Sequence, residues 1–250
     1  MLKGEPESGF RLPCLLDSGR AFLYTRKILK MEIKRFRKKP EEDPIRKNLM
    51  QLHVSGKLIL ASASPRRIEL LQLMGLDFKA MSSGIDESFR RGETPREHVL
   101  RLSEEKALAV ARSHPDDWVL GADTIVIIAG EVLGKPGSVP EAKEMLEKLS
   151  GQEHEVFTGF SIVRQKTGIL IREVVESSVL FREITSDEMD WYTGSEEPYD
   201  KAGAYAVQGM GAFFIREIRG SYTNIMGLPL CEVVDALKRV SAICFPRRRS

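Results

Sequence analysis

The amino-acid sequence predicts an α/β protein with a mixed β-sheet, and three features indicate this class. Segments with apolar residues at helical spacing alternate with short apolar runs typical of strands. The run WVLGADTIVIIAG is nearly continuous and predicts a central strand buried on both faces. The segments EVFTGFSIV and ILIREVVESSVLF flank the turn QKTG and predict a hairpin. The sheet should therefore contain antiparallel as well as parallel strand pairs.

The first elements lie in LILASASPRRIELL, residues 58–71, where an apolar run ends at two serines. The run predicts a buried strand, and Ser64 and Pro65 predict the N-cap and first position of a helix. Free amides and the dipole make a helix N-terminus suited to anions. The polar side chains around this one would be Ser62, Ser64, Arg66 and Arg67. The alternative is an ordinary cap with two solvated arginines.

The next elements are a strand at 78–83, a polar loop GIDESFRRGETP and a helix. Thr94 and Glu97 form a capping box at the start of that helix. Lys106 falls on its apolar seam. A lysine there either extends past its neighbours to reach solvent or projects into a cleft to meet a negative ligand.

Asp123 is the one ionisable residue within the central strand. A lone buried carboxylate is costly and must gain a proton or a cation, which makes this residue the best functional candidate by physics alone. The alternative is an aspartate at a strand end that caps a turn. The following EVLGKP predicts a hairpin that returns Lys135 to the same end of the sheet.

The remaining elements continue the alternation. We expect a helix at 140–150, a helix that begins at a capping box of Thr185 and Glu188 and ends near Gly194, the strand FFIREI, and a final helix from about Pro229.

Composition excludes several classes of protein. The 250 residues are 42% hydrophobic and 30% charged, enough for a packed core. No apolar stretch reaches the ~18 residues of a membrane-spanning helix. The three cysteines, Cys14, Cys231 and Cys244, are too few for a disulfide framework or a zinc site and suit a reducing cytoplasm.

The net charge of +2 is unevenly distributed along the chain. It divides into +6 over residues 1–56, −7 over 57–246 and +3 over 247–250. An acidic body with basic ends is a poor match for a nucleic-acid-binding domain, so no nucleic-acid partner is expected. An anionic ligand would need local cations or a metal.

Seven motifs occur in the order and approximate spacing of the Maf-like nucleoside triphosphate pyrophosphatases. They are SASPRR, DESF, SEEKA, GADTIV, LGKP, YDKAGAYAVQG and GSYTNIMGLPL. Each is weak alone, but seven in register make a chance similarity improbable. The resemblance covers about residues 57–241 and implies a Maf-like domain at 57–243. We expect a poorly ordered basic extension at 1–56 and a basic tail at 244–250.

The resemblance implies hydrolysis of a nucleoside triphosphate to the monophosphate and pyrophosphate with Mg²⁺ or Mn²⁺. It also implies an elongated mixed sheet flanked by helices, with a cleft between two lobes, related in shape to the inosine triphosphate pyrophosphatases. Asp123 matches the family's proton acceptor, and Glu87 matches an acidic position associated with the metal. The matching phosphate-handling positions are Ser62, Ser64, Arg67, Lys106 and Lys135.

Three positions resemble the branch of the family that acts on dTTP and UTP, namely Arg66, Thr124 and Gln208. The Gln208 amide offers a donor and an acceptor, which can pair with the O4 and N3–H edge of thymine or uracil. Two alternatives stay open: a purine or modified-nucleotide house-cleaning pyrophosphatase, and a non-catalytic nucleotide-binding regulator of septum formation. The oligomeric state, a homodimer included, stays open as well.

Overall fold

The computed structural model describes residues 52–245. The strands are His53–Val54 (β1), Leu58–Leu60 (β2), Lys79–Ala80 (β3), Trp118–Ile128 (β4), Glu131–Leu133 (β5), Glu153–Arg164 (β6), Ile169–Phe181 (β7), Ile215–Arg219 (β8) and Ile243–Cys244 (β9). The α-helices are Pro65–Leu73 (α1), Pro95–Ala111 (α2), Val139–Leu149 (α3), Ser186–Thr193 (α4), Tyr222–Ile225 (α5) and Leu230–Arg239 (α6). Within these residues no helix is both long and apolar enough to cross a membrane.

Seven of the strands form one mixed sheet, which confirms the predicted fold class. Its order is β3-β2-β4-β6-β7-β8, with β5 paired to the far end of β4. β2 runs parallel to both β3 and β4, whereas β4, β6, β7 and β8 pair antiparallel. The predicted hairpin is the long β6–β7 pair, and the predicted central strand is β4, buried along nearly its whole length.

One edge of β4 is left unpaired in its middle. Of the residues of β4, β2 pairs with Trp118–Leu120 and β5 pairs with Val126–Ile128. Within the described part of the chain, no strand pairs with β4 along this edge between those two contacts. One hydrophobic cluster, with Leu58 and Leu120, lies towards β2, and another, with Val126 and Leu133, lies towards β5. This gap corresponds to the predicted cleft between two lobes.

Helix α2 lies directly on the sheet because two glycines leave room for its backbone. A Cβ at Gly121 would lie 2.1 Å from the carbonyl oxygen of Ser103. A Cβ at Gly159 would lie 2.2 Å from that of Val99. Gly121 shares a face of β4 with Asp123 because side chains alternate along a strand, and Gly159 is the cross-strand partner of Asp123. The close packing therefore presses α2 against the face that carries Asp123.

The structure corrects several predicted boundaries. The strand expected at 78–83 is only Lys79–Ala80, and residues 213–214 of the segment FFIREI lie in a 3₁₀ helix. β1 pairs antiparallel with β9, so the fold extends beyond 57–243 at both ends. Apart from residues 52–56 and 244–245, the expected extension and tail lie outside the described residues.

Candidate active site

The gap along β4 opens into a cavity of about 670 Å³. The segment after β2, the loop after β5 and residues 197–209 all contribute to its walls. All ten side chains predicted from the sequence line it: Ser62, Ser64, Arg66, Arg67, Glu87, Lys106, Asp123, Thr124, Lys135 and Gln208. The fold thus brings together residues that are up to 146 positions apart in the chain.

An acid–lysine–acid arrangement lies beside the middle of β4. Lys106 Nζ is 2.7 Å from Asp123 Oδ1 and 2.7 Å from Glu87 Oε1. Asp123 is 6% exposed and Lys106 is 5% exposed. A solvent-seeking lysine and a turn-capping aspartate at a strand end are therefore both wrong. The cation stabilises Asp123 as a buried carboxylate, which would otherwise be costly.

The loop that carries Glu87 is fastened to α2 by side chains next to it. Phe89 stacks on His98 with ring centroids 3.5 Å apart. Arg101 donates to the Ser88 carbonyl at 3.1 Å and to both carboxylate oxygens of Glu93. These hydrogen bonds from Arg101 are the main reason that the pKa of Glu93 lies at about 2. Glu87 is exposed, but its backbone is held in place.

Arg67 ties three parts of the cavity wall together. Its guanidinium donates to the Gly227 carbonyl at 2.7 Å, to Thr124 Oγ1 at 3.0 Å and to Ser62 Oγ at 3.3 Å. Because Arg67 is buried, the predicted alternative of two solvated arginines is wrong for this residue. Burial lowers the pKa of its guanidinium, while the charges of Asp123 and Glu87 act in the opposite direction.

The start of α1 differs in one detail from the prediction. Ser64 occupies the N-cap position and Pro65 follows it, but the Ser64 side chain makes no capping hydrogen bond. The Ser64 N–H instead donates to Ser62 Oγ at 3.2 Å. A cap bond from the Ser64 hydroxyl is therefore wrong. Within residues 52–245 this hydroxyl makes no hydrogen bond and lies on the cavity wall.

Lys135 is held at the cavity by the turn after β5. The side chain is exposed and lines the wall, as the predicted hairpin required. The carbonyl of the preceding Gly134 accepts a hydrogen bond from Gly203 N at 3.0 Å. Gly203 adopts a left-handed φ of 71° and packs against Val126. This contact links the loop of Lys135 to the segment that leads to Gln208.

Three charged residues of the wall escaped the sequence reasoning: Glu197, Asp200 and Lys201. Arg66 pairs with Asp200 at 3.7 Å, and Asp200 also pairs with Lys201. Lys201 donates to the backbone carbonyl of Glu197 at 2.8 Å. Asp200 and Lys201 lie in the motif YDKAGAYAVQG, but the polar stretch SEEPYDKAGAYAVQG has no periodicity that would assign its side chains to a face.

The wall carries five basic and four acidic side chains, so it is close to neutral. The basic ones are Arg66, Arg67, Lys106, Lys135 and Lys201, and the acidic ones are Glu87, Asp123, Glu197 and Asp200. A triphosphate brings about four further negative charges at neutral pH. Three of these cations, Arg66, Lys106 and Lys201, are paired with acids of the wall, so an additional cation would favour binding of such a ligand.

Glu87 and Asp123 suit a Mg²⁺ ion that is shared with a ligand. Their oxygens contact the same nitrogen, so they cannot lie further apart than twice 2.7 Å. Mg²⁺ in phosphate-handling sites is bound by one or two carboxylates, several waters and the phosphates themselves. In residues 52–245 no group of three or more His, Cys, Asp or Glu is placed to hold an ion alone. The two carboxylates therefore fit an ion that a phosphate ligand would help to hold.

The fold and the site define an α/β protein with a polar cleft lined by paired carboxylates and several cations, suited to an anionic ligand. Residues 57–240 match the model of the Maf-like protein family. The chain therefore belongs to the Maf-like family, as the seven motifs predicted.

Two related proteins are similar in sequence to this chain over most of their length. The dTTP/UTP pyrophosphatase of Syntrophus aciditrophicus is 64% identical over 192 residues, 77% of this chain and 94% of that protein. The dTTP/UTP pyrophosphatase of Geotalea uraniireducens is 46% identical over 192 residues, 77% of this chain and 99% of that protein. The Ham1 protein of Staphylococcus aureus, a solved structure, is 15% identical with a TM-score of 0.41, covering 74% of this chain and 99% of that one.

Proposed function

We propose that this protein hydrolyses dTTP and UTP to the monophosphate and pyrophosphate, in the cytoplasm. The observation that carries the proposal is the buried Asp123 beside Lys106 at 2.7 Å, in a cavity whose wall gathers five basic side chains. The pair thus places a carboxylate and an ammonium group beside a region suited to phosphates. The names of the relatives, which match over nearly their full length, support the same reaction.

Asp123 is suited to accept the proton of the attacking water. Its Oδ1 is held by Lys106, and its Oδ2 makes no hydrogen bond within residues 52–245, so that oxygen is available to a water in the cavity. The water oxygen bonds to the α-phosphorus as the bond from that phosphorus to the α–β bridging oxygen breaks. Asp123 takes the released proton, and pyrophosphate leaves.

The positive side chains stabilise the charge that develops on the leaving pyrophosphate. Such electrostatic stabilisation is the dominant contribution in phosphoryl chemistry. Lys106 and Lys135 present ammonium groups to the cavity, and the Ser64 hydroxyl adds a neutral donor. Arg67 contributes mainly by holding the cavity wall in place, because its guanidinium already donates hydrogen bonds to three protein oxygens.

A divalent cation would be held by Glu87 and Asp123 and would neutralise part of the phosphate charge. A carboxylate that binds a metal directly is a weaker base, so the two roles of Asp123 compete. Glu87 is the better placed of the two for a direct contact, since it is exposed. Asp123 then keeps its basic oxygen for the water.

Recognition of the base is assigned to Arg66, Thr124 and Gln208. The Gln208 amide is exposed at the wall and can pair with the O4 and N3–H edge of thymine or uracil. Thymine and uracil differ by a methyl group, worth only about 1–3 kcal/mol, so one pocket accepts both. The Thr124 hydroxyl is hydrogen-bonded to Arg67 and Thr158, so Thr124 contributes by shaping the pocket wall.

The test is release of pyrophosphate from a panel of nucleoside triphosphates with Mg²⁺ or Mn²⁺. We expect dTTP and UTP to be hydrolysed in preference to purine nucleotides, and we expect Arg66→Ala and Gln208→Ala to change the preference more than the melting temperature. Equal rates on all bases would refute the assigned substrate and favour a house-cleaning enzyme of broad range. Binding without turnover would instead favour the regulator of septum formation.

A further inference from the structure

The segment that carries Gln208 is fastened to the protein by one carboxylate, that of Glu197. Met210 N donates to Glu197 Oε2 at 2.9 Å, and Gly211 N donates to Glu197 Oε1 at 2.9 Å. Tyr192 Oη donates to the same Oε1 at 3.0 Å. Three donors from two directions therefore converge on this carboxylate.

Glu197 is itself held at its backbone. Its N–H donates to Ser195 Oγ at 3.3 Å, and its carbonyl accepts from Lys201 Nζ at 2.8 Å. The Tyr192 ring is fully buried and packs edge-on against Phe214. Burial and the nearby charge of Glu197 raise the pKa of Tyr192, so its hydroxyl stays a donor. The carboxylate is a fixed point to which residues 210–211 attach.

The attachment leaves no space between Glu197 and the loop. A Cβ at Gly209 would lie 2.0 Å from Glu197 Oε2. Gln208 directly precedes this glycine, and its side chain makes no hydrogen bond within residues 52–245. The position of the Gln208 amide therefore depends on its backbone, which Glu197 fixes two and three residues further along the chain. Within the same range Glu197 has no ion-pair partner, so its charge is directed to these N–H and O–H donors.

We infer that Glu197 is a positioning residue for base selection, acting through Gln208. The inference rests on the proposed function, because it requires that Gln208 reads the base. A fixed backbone limits the positions from which the Gln208 amide can offer its donor and acceptor, which disfavours bases with the opposite pattern. A loose backbone lets the amide adjust to either pattern and reduces the difference between bases.

Glu197→Gln is the main variant. The carboxylate accepts on both oxygens, whereas an amide places an NH₂ group against at least one of the donors. Glu196→Gln is the matched control, since Glu196 is the adjacent exposed acid and its side chain makes no hydrogen bond or ion pair within the described residues. Tyr192→Phe removes one donor and is the second variant if Glu197→Gln does not fold.

A further pair tests the close contact at the loop. Gly209→Ala places a methyl group against Glu197 and should reproduce the effect of Glu197→Gln. Gly194→Ala is its control, because the nearest atoms to that Cβ would lie at 3.4 Å and Gly194 has a helical φ of −73°.

Two measurements are made on the full chain. Hydrogen exchange followed residue by residue reports whether the Met210 and Gly211 amides are released, without any need for activity. Steady-state hydrolysis gives kcat/KM for dTTP and for ATP, and hence their ratio. In Glu197→Gln we expect both amides to exchange at least ~10-fold faster, the ratio to fall at least ~5-fold through KM, and kcat for dTTP to change less than ~2-fold. Combined with Gln208→Ala, the change should have no additional effect on the ratio.

The outcomes separate this inference from the proposed function. Faster exchange with an unchanged dTTP to ATP ratio would show that Glu197 only stabilises the loop and would overturn the inference. The inference is also overturned if Glu196→Gln behaves like Glu197→Gln, or if the effects of Glu197→Gln and Gln208→Ala are additive. The proposed function is decided by the unmodified protein alone: without a pyrimidine preference there, both it and the inference fail.

Discussion

Replacement of Asp123 by Asn tests the chemistry while leaving the shape of the site intact. In the structure, Asp123 Oδ1 accepts a hydrogen bond from Lys106 at 2.7 Å. An asparagine oxygen can accept that bond as well. The second oxygen, however, becomes an NH₂ group, which cannot take a proton from water. The substitution therefore removes the base and the negative charge but keeps the main contact of the side chain.

Two magnitudes follow from this geometry. General-base catalysis contributes about 10²- to 10⁴-fold, so kcat should fall by at least ~10². Breaking a buried ion pair outright costs about 3–5 kcal/mol of the free energy of unfolding. The loss here should be smaller, because Lys106 keeps Glu87 at 2.7 Å and retains a neutral acceptor at position 123. Activity should therefore fall far more than stability.

The assay is pyrophosphate release from saturating dTTP with Mg²⁺, together with a thermal melt of the same sample. Asp77→Asn is the matched control, since Asp77 is exposed and does not line the cavity. We expect the control to match the unmodified protein in both measurements. If Asp123→Asn keeps kcat within ~10-fold of the unmodified protein, Asp123 is not the base and the reasoning is refuted.

Three further predictions concern the cation, the packing and the pH dependence of stability. Lys106→Ala should raise KM for dTTP, because the ammonium no longer offsets the phosphate charge. Lys79→Ala, at an exposed lysine, is the control, and an unchanged KM in Lys106→Ala would show that Lys106 does not bind the phosphates. Gly121→Ala should lower the free energy of unfolding by about 1–3 kcal/mol or more, since its Cβ would lie 2.1 Å from the Ser103 carbonyl oxygen. Gly134→Ala is the control, because a Cβ there would have no atom within 4 Å, and denaturant melts of the two variants should show the loss only for Gly121→Ala. Burial lowers the pKa of His154 from 6.5 to about 4, so the unfolded chain binds a proton more readily and stability should fall as pH drops from about 6.5 to about 4. Melts of His154→Gln should show a smaller drop over that window, and an identical drop would contradict the assignment.

The sequence was informative where one residue conflicted with a strong pattern. Asp123 is the one ionisable residue in an apolar run, and Lys106 sits on an apolar helix seam; a buried charge needs a partner, so each was a candidate site residue, although their direct contact was not predicted. The capping boxes at Thr94 and Thr185 are local patterns, and both helices begin where they predicted. Such features depend on neighbours within a few positions.

The features that escaped prediction depend on contacts between distant residues. Strands β1 and β9 have two residues each and lie about 190 positions apart, so neither has a periodicity to read. The position of Glu87 depends on Phe89 and Arg101 meeting helix α2. The hydrogen bonds from Met210 and Gly211 to Glu197 use backbone N–H groups, which every residue except proline has.

The two glycines beneath helix α2 bear on any effort to rebuild this site elsewhere. Copying Asp123 and Lys106 onto another sheet and helix would place their backbones further apart, because ordinary side chains hold a helix at roughly 10 Å from a sheet. Here Gly121 and Gly159 bring the helix backbone down onto the strands. A designed copy of the site would therefore need both glycines as well as the charged groups. The missing Cβ atoms set the distance between the helix that carries the lysine and the strand that carries the acid.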